Sequence, residues 1–133
     1  MPSRCCAAPE LTRLLVLANE AAWRYSVSAC AACGGAVVEY YSFDDWDTGN
    51  PADFEKYWWW RMNAPDTAAF RDAIAACPAP LDPGCGCAVH QAIKWRTPNT
   101  LPPSSETPYD HAQVPTTSFV LDEAGAIRWR SPD

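Results

Sequence analysis

The sequence predicts an α+β fold: one small domain over residues 1–133, with short antiparallel strands, about four helices and a Cys/His metal site that stabilises it. Three observations carry the prediction. An apolar fraction of 48% in 133 residues is enough to bury one core. Apolar stripes at helical spacing alternate along the chain with β-branched and aromatic runs. Cysteine and histidine recur at metal-ligand spacings, as Cys30-x-x-Cys33 and Cys85-x-Cys87-x-x-His90.

Pro9 to about Tyr25 reads as the first helix. Pro9 suits the first helical position and Glu10 the first turn, while Leu11, Leu14, Leu15, Ala18 and Ala22 share one helical face. Arg24–Ala29 and Ala36–Phe43 read as strands on either side of a turn that carries Cys30 and Cys33. Gly34 and Gly35 relieve crowding where backbone N–H groups point at thiolate sulfurs.

Asn50-Pro51-Ala52-Asp53 has the form of a helix start, and Phe54, Tyr57, Trp58 and Met62 continue it as a stripe. A strand over the same stretch would instead put Trp58 with Trp60. In either case Trp58, Trp59 and Trp60 cannot all enter one core face, so one of them is exposed or covered by another segment or partner. A third helix starts at Asp66, carries Phe70, Ala73, Ile74 and Cys77 on one side, and ends at Pro78. Cys77 reads as a core residue or a neighbour of the metal.

Prolines and Gly84 keep the next stretch in a loop, and the breaker-free run Cys87–Trp95 is the fourth helix. Cys87 and His90 are then neighbours on its first turn, where the helix N-terminus favours thiolate over thiol. Residues 97–115 hold five prolines and form an extended connector, in which His111 reads as a surface residue. Residues 116–130 make a hairpin about Asp122–Gly125, with Gly125 suited to positive φ.

Four ligands can be drawn in several ways from Cys30, Cys33, Cys85, Cys87 and His90. The preferred set is Cys30, Cys33, Cys87 and His90, two matched pairs around one zinc ion, with Cys85 next because Cys-x-Cys can also grip an ion. A closed set of four is structural, since a catalytic zinc keeps one position open for water. The N-terminus lacks a long apolar core after a basic start, which points to a cytoplasmic, reducing setting. Metal ligation is favoured there over the alternative, disulfides.

The Cys30–Gly35 turn resembles the knuckle of zinc-ribbon and treble-clef domains. The Cys87/His90 pair at a helix start resembles the second half of a treble clef. That resemblance implies a small zinc-binding domain. The tail from Val114 to Ile127 resembles the proline-containing strand and hairpin of thioredoxin-like proteins, which implies a thiol-redox alternative through Cys30 and Cys33. A redox Cys-x-x-Cys opens a long helix, however, whereas Cys33 is followed by two glycines and a strand-like run.

The net charge of −6 disfavours binding to nucleic-acid phosphates and hence a zinc-ribbon nucleic-acid binder. The apolar stretch of about 20 residues that a membrane span requires is absent. Asp44, Asp45 and Asp47 do not continue into a twelve-residue calcium loop. No His-Glu-x-x-His, zinc-deaminase signature, phosphate loop or Gly-x-Ser-x-Gly occurs, so a zinc-dependent enzyme is the weaker alternative. The expected function is therefore a small acidic, zinc-stabilised interaction module, not an enzyme. It would meet a basic protein partner through Asp44, Asp45, Trp46, Asp47, Trp59 and Trp60. Bacterial immunity proteins, which block a toxin's active site, are similar in being small, acidic and aromatic. Nothing in the sequence signals an oligomeric state.

Overall fold

The computed structural model describes residues 5–43, 55–98 and 114–130. At its centre is an antiparallel meander in the order β1–β2–β3–β4, formed by Leu11–Glu20, Trp23–Cys30, Ala36–Phe43 and Glu55–Met62. Helices α1 (Ala64–Ala73) and α2 (Ala88–Ile93) follow, and β5 (Phe119–Leu121) pairs with β6 (Ile127–Trp129) in a separate hairpin. The fold is sheet-rich with a small helical part. The expectation of about four helices is overturned, because two of the four segments expected to be helical are strands.

The first is β1. Its pairing with β2 shifts between Arg13 and Leu15 and again between Val16 and Ala18. Each bulge inserts an extra residue and so breaks the period of two. The apolar residues consequently recur at three- and four-residue spacings, which imitate a helical stripe. Leu15, Val16, Leu17 and Ala18 are all buried in consequence.

The second is β4, where regular alternation wins. Trp58, Trp60 and Met62 enter the core beneath the helices, while Trp59 enters a smaller cluster with Val37 and Val114 on the opposite face. Two tryptophans thus share one face and the third has the other. Val114, near the end of the proline-rich stretch, packs against it.

The main core joins the sheet to Phe70 and Ile74 of the α1 region, Ile93 of α2 and Ile127 of the hairpin. Asn63 starts α1, its Oδ1 accepting the Asp66 N–H at 2.8 Å, so the helix begins ahead of Asp66 and ends at Ala73. Tyr25 Oη donates to the Arg96 carbonyl at 2.6 Å and accepts from Trp129 Nε1 at 3.0 Å, which docks the hairpin on β2. Gly125 has φ 81°, and Asp122 Oδ1 accepts the N–H groups of Ala124 and Ala126 at 2.9 Å each, closing the expected turn.

Both outer strands have cover. Val16 donates its N–H to the Pro80 carbonyl at 2.8 Å. Arg61 donates to the Pro115 carbonyl at 2.9 Å, and its own carbonyl accepts from Thr117 at 2.8 Å. Unpaired edge groups would otherwise invite other chains. No helix among the described residues is long and apolar enough to cross a membrane.

Trp60 is fully buried at the centre of the main core. Trp60→Ala should therefore cost about 3–5 kcal/mol in urea unfolding of the metal-loaded protein. A loss below about 1 kcal/mol would contradict this packing.

Candidate metal centres

Two groups of side chains converge, and each could hold a metal ion: Cys5, Cys6, Cys30 and Cys33, and Cys77, Cys85, Cys87 and His90. Within each group the ligand atoms all lie within 4.8 Å of one another. A tetrahedron built on Zn–S bonds of about 2.3 Å has edges of about 3.8 Å. Measured Sγ separations in the first group are 3.6 Å for Cys5–Cys33, 3.8 Å for Cys6–Cys30 and 3.9 Å for Cys5–Cys6. In the second group Cys77–Cys85 is 3.9 Å and Cys77–Cys87 is 3.3 Å, while His90 Nδ1 lies 3.4 Å from Cys77 and 3.3 Å from Cys87. All seven thiols are free, not disulfide-bonded.

The first group sits on the β2–β3 turn. Cys30 ends β2, and the turn closes with the Gly34 N–H on the Cys30 carbonyl at 2.9 Å and the Cys30 N–H on the Gly35 carbonyl at 2.8 Å. Gly34 has φ 76°, in the left-handed region that glycine tolerates. Gly35 is required for a different reason: a Cβ there would stand 2.5 Å from the Met62 carbonyl oxygen. Cys5 and Cys6 arrive from the N-terminal segment, which the Ala31 N–H ties down through the Glu10 carbonyl at 2.9 Å.

The second group is held against the edge of β1. Cys87 caps the N-terminus of α2, its Sγ accepting the His90 N–H at 3.5 Å, and this places Cys87 and His90 on the same side of the first turn. His90 is fully buried, and its Nε2 lies 3.0 Å from the Val16 carbonyl. A carbonyl can only accept, so Nε2 carries the proton and Nδ1 turns its lone pair toward Cys77 and Cys87. That tautomer and orientation are what a metal-ligating imidazole needs.

Burial pushes the Cys30 thiol up, but the N–H groups of Glu10, Cys33 and Ala32 more than offset it and bring the pKa down to about 6. At Cys87 burial likewise opposes ionisation, and the His90 N–H and imidazole bring the pKa down to about 6. Cys77 moves the other way, up to about 11, through burial and the neighbouring Cys87 and Cys85 thiols. Cys5 is also raised, by burial and by contact with Cys30 and Cys33. Each group thus holds one thiol disposed to ionise and another that resists it, through burial first and the neighbouring thiols second. A bound dication removes that conflict by favouring thiolate at every ligand.

The pairs expected to meet around one ion lie apart. Cys30 is opposite Leu11 at one end of β1, whereas His90 bonds to Val16 farther along the strand. Five residues of strand span roughly 16 Å, far more than one coordination sphere. Cys30 and Cys33 are joined instead by Cys5 and Cys6; Cys85, Cys87 and His90 are joined by Cys77. Cys5 and Cys6 were missing from the expected ligands, and Cys77, read as a core residue or a neighbour of the metal, joins the second set. Of the residues expected to meet a partner, Trp59 and Trp60 are buried at 1% and 0% exposure. Asp44, Asp45, Trp46 and Asp47 lie outside the described residues, as does His111.

Comparison with protein-family models, curated proteins and solved structures gave no match to this chain. The geometry itself offers a test, because Cys87 both caps α2 and faces the candidate metal site. Serine is a good N-cap but lacks the soft sulfur ligand. Cys87→Ser and Cys87→Ala should both abolish metal retention at this site, and Ala should be less stable than Ser by about 1 kcal/mol. Full metal retention in the Ser variant would reduce Cys87 to a cap.

Proposed function

We propose that this chain is a non-catalytic protein-interaction module whose sheet is stapled by two structural zinc ions, one in each quartet. The observation that carries the reading is the arrangement of His90: buried, proton-fixed by Val16, with Nδ1 3.3 and 3.4 Å from two thiols. A cation accounts for an imidazole lone pair 3.3 and 3.4 Å from two thiols, one of which, Cys87, is disposed to ionise. Sulfur-rich, closed tetrahedral sets suit zinc. The arithmetic of ligands supports the same reading, since the seven cysteines of the sequence and His90 make two sets of four with none left over. The single ion expected from spacing becomes two.

With four protein ligands on each ion, no position remains for water, so the ions hold structure and do not activate a nucleophile from solvent. Function then resides in the surface. The net charge of −6 supports a basic protein partner, and an inhibitor of immunity type, blocking a toxin or enzyme, is the finer form of the reading. Because Trp59 and Trp60 are interior, the exposed Leu81, Trp95, Val120 and Leu121 supply apolar contacts in their place. Asp44, Asp45, Trp46 and Asp47 lie outside the described residues and are kept as partner contacts on the strength of their sequence alone.

Elemental analysis of protein purified without added metal should give two zinc ions per chain. Cys30→Ser and His90→Ala should each leave one. Strong chelators should lower the melting temperature sharply, because ligand binding and folding are coupled. Metal-free protein with unchanged melting would overturn the reading.

A further inference from the structure

Past the C-terminus of α2 the backbone is anchored at two points. The Lys94 N–H reaches the His90 carbonyl at 2.9 Å, and the Arg96 carbonyl accepts from Tyr25 Oη at 2.6 Å and from Trp129 Nε1 at 3.1 Å. Trp95 lies between these anchors, yet it is 71% exposed. Its ring stacks on Trp23, with centroids 5.2 Å apart and planes 25° apart.

The two indoles border a cavity of about 400 Å³, which Tyr40 and Ser42 also line. Its sheet side is well held. Trp23 and Ser42 are register partners on β2 and β3, and Tyr40 meets Tyr25 and Trp58 edge-on at 5.4 and 5.6 Å. Ligand pockets run from about 300 to 1,000 Å³ and combine aromatic walls with a few polar groups. In a chain of net charge −6, the described lining holds the basic Lys94 and Arg96 and no acidic residue. Two contacts locate the Lys94 ammonium: it donates to the Pro83 carbonyl at 3.1 Å and lies 5.6 Å from the centre of the Trp95 ring. An ammonium has three donors, and that carbonyl takes one. A ring laid against Trp95 therefore comes within reach of positive charge.

We propose that this cavity binds a small aromatic carboxylate, with its ring against Trp95 and its charge drawn to Lys94. Aromatic pairs favour offset or edge-on contact at centroid distances of about 4.5–7 Å, which an exposed indole on a fixed backbone offers to an incoming ring. One located cation matches the single charge of a carboxylate. Aromatic walls alone would also suit a cationic ligand, but the ammonium repels one. The site uses no cysteine and not His90, so it stands apart from the metal reading.

The probes 2-naphthoate, 2-naphthamide and acetate separate ring from charge. Each is titrated into the full chain as purified while the indole N–H signals are followed by proton–nitrogen NMR, with Trp95→Phe and Trp23→Phe assigning two of them. 2-Naphthoate should shift the Trp95 and Trp23 signals saturably. 2-Naphthamide should bind about tenfold more weakly, the loss expected of one charge-assisted hydrogen bond, and acetate should leave both signals in place. Lys94→Met keeps the apolar stem and should bring 2-naphthoate down to the affinity of 2-naphthamide, whereas Lys94→Arg should keep the preference. Equal affinity for the two naphthyl probes in the parent overturns the proposal. So does a preference that survives in Lys94→Met, or a titration that moves other indole signals and leaves those of Trp95 and Trp23 unmoved. Should Lys94→Met melt below the parent, the ratios in the parent and in Lys94→Arg decide.

Discussion

Thiols brought within 4.8 Å of one another cannot all ionise without a counter-charge, and in this fold seven of them are brought that close, in two places. Burial opposes ionisation at both Cys87 and Cys77; the His90 N–H and imidazole bring Cys87 down to about 6, while burial and the neighbouring thiols take Cys77 up to about 11. A cation in each quartet turns this conflict into the strongest local attraction available. It also connects segments that share little else. One quartet ties the N-terminal segment to the β2–β3 turn. The other would tie the loop after α1 to α2, whose His90 is hydrogen-bonded to the edge of β1. The first link, between Cys6 and Cys30, closes the longer loop, where the entropy lost by the unfolded chain is larger.

The sheet sets where those links can form. Because β1 is an edge strand, the Val16 carbonyl is open to His90 Nε2, and the Val16 N–H meets Pro80 in the loop that carries Cys77 and Cys85. Gly35 lets β4 approach closely enough for the Met62 carbonyl to stand where a side chain would be. The metal sites are therefore not appended to a finished domain. The two groups lie beside the bulged strand and at the β2–β3 turn, and metal bound there would relieve a small core of supplying all the stability alone.

Much of this was legible, and the failures have physical causes. β2, β3, the short helix after Cys87 and the C-terminal hairpin follow from β-branched content, breakers and turn residues. β1 misled because two bulges convert a period of two into helix-like spacing. β4 misled because an apparent helix cap preceded a run whose burial alternates over both faces. At the sites, Cys30-x-x-Cys33 and Cys87-x-x-His90 carry a spacing signal because each pair lies in one turn. Which pairs combine depends on pairing between strands, which spacing does not encode. Cys5 and Cys6 have no such spacing, and Cys77 was hidden in an apolar stripe with Phe70 and Ile74. The usable signal was the count: seven cysteines and one well-placed histidine supply two sets of four candidate ligands, not one.

X-ray absorption at the zinc edge tests the central claim most directly, since it reads the donor atoms themselves. The account predicts a shell averaged over two four-coordinate ions: seven sulfurs at about 2.3 Å and one imidazole nitrogen at about 2.0–2.1 Å, with no oxygen. His90→Cys should remove the nitrogen and leave sulfur alone. A shell containing oxygen, or an equal mixture of sulfur and nitrogen, would contradict the assignment of Cys5, Cys6, Cys30 and Cys33 to one ion and of Cys77, Cys85, Cys87 and His90 to the other.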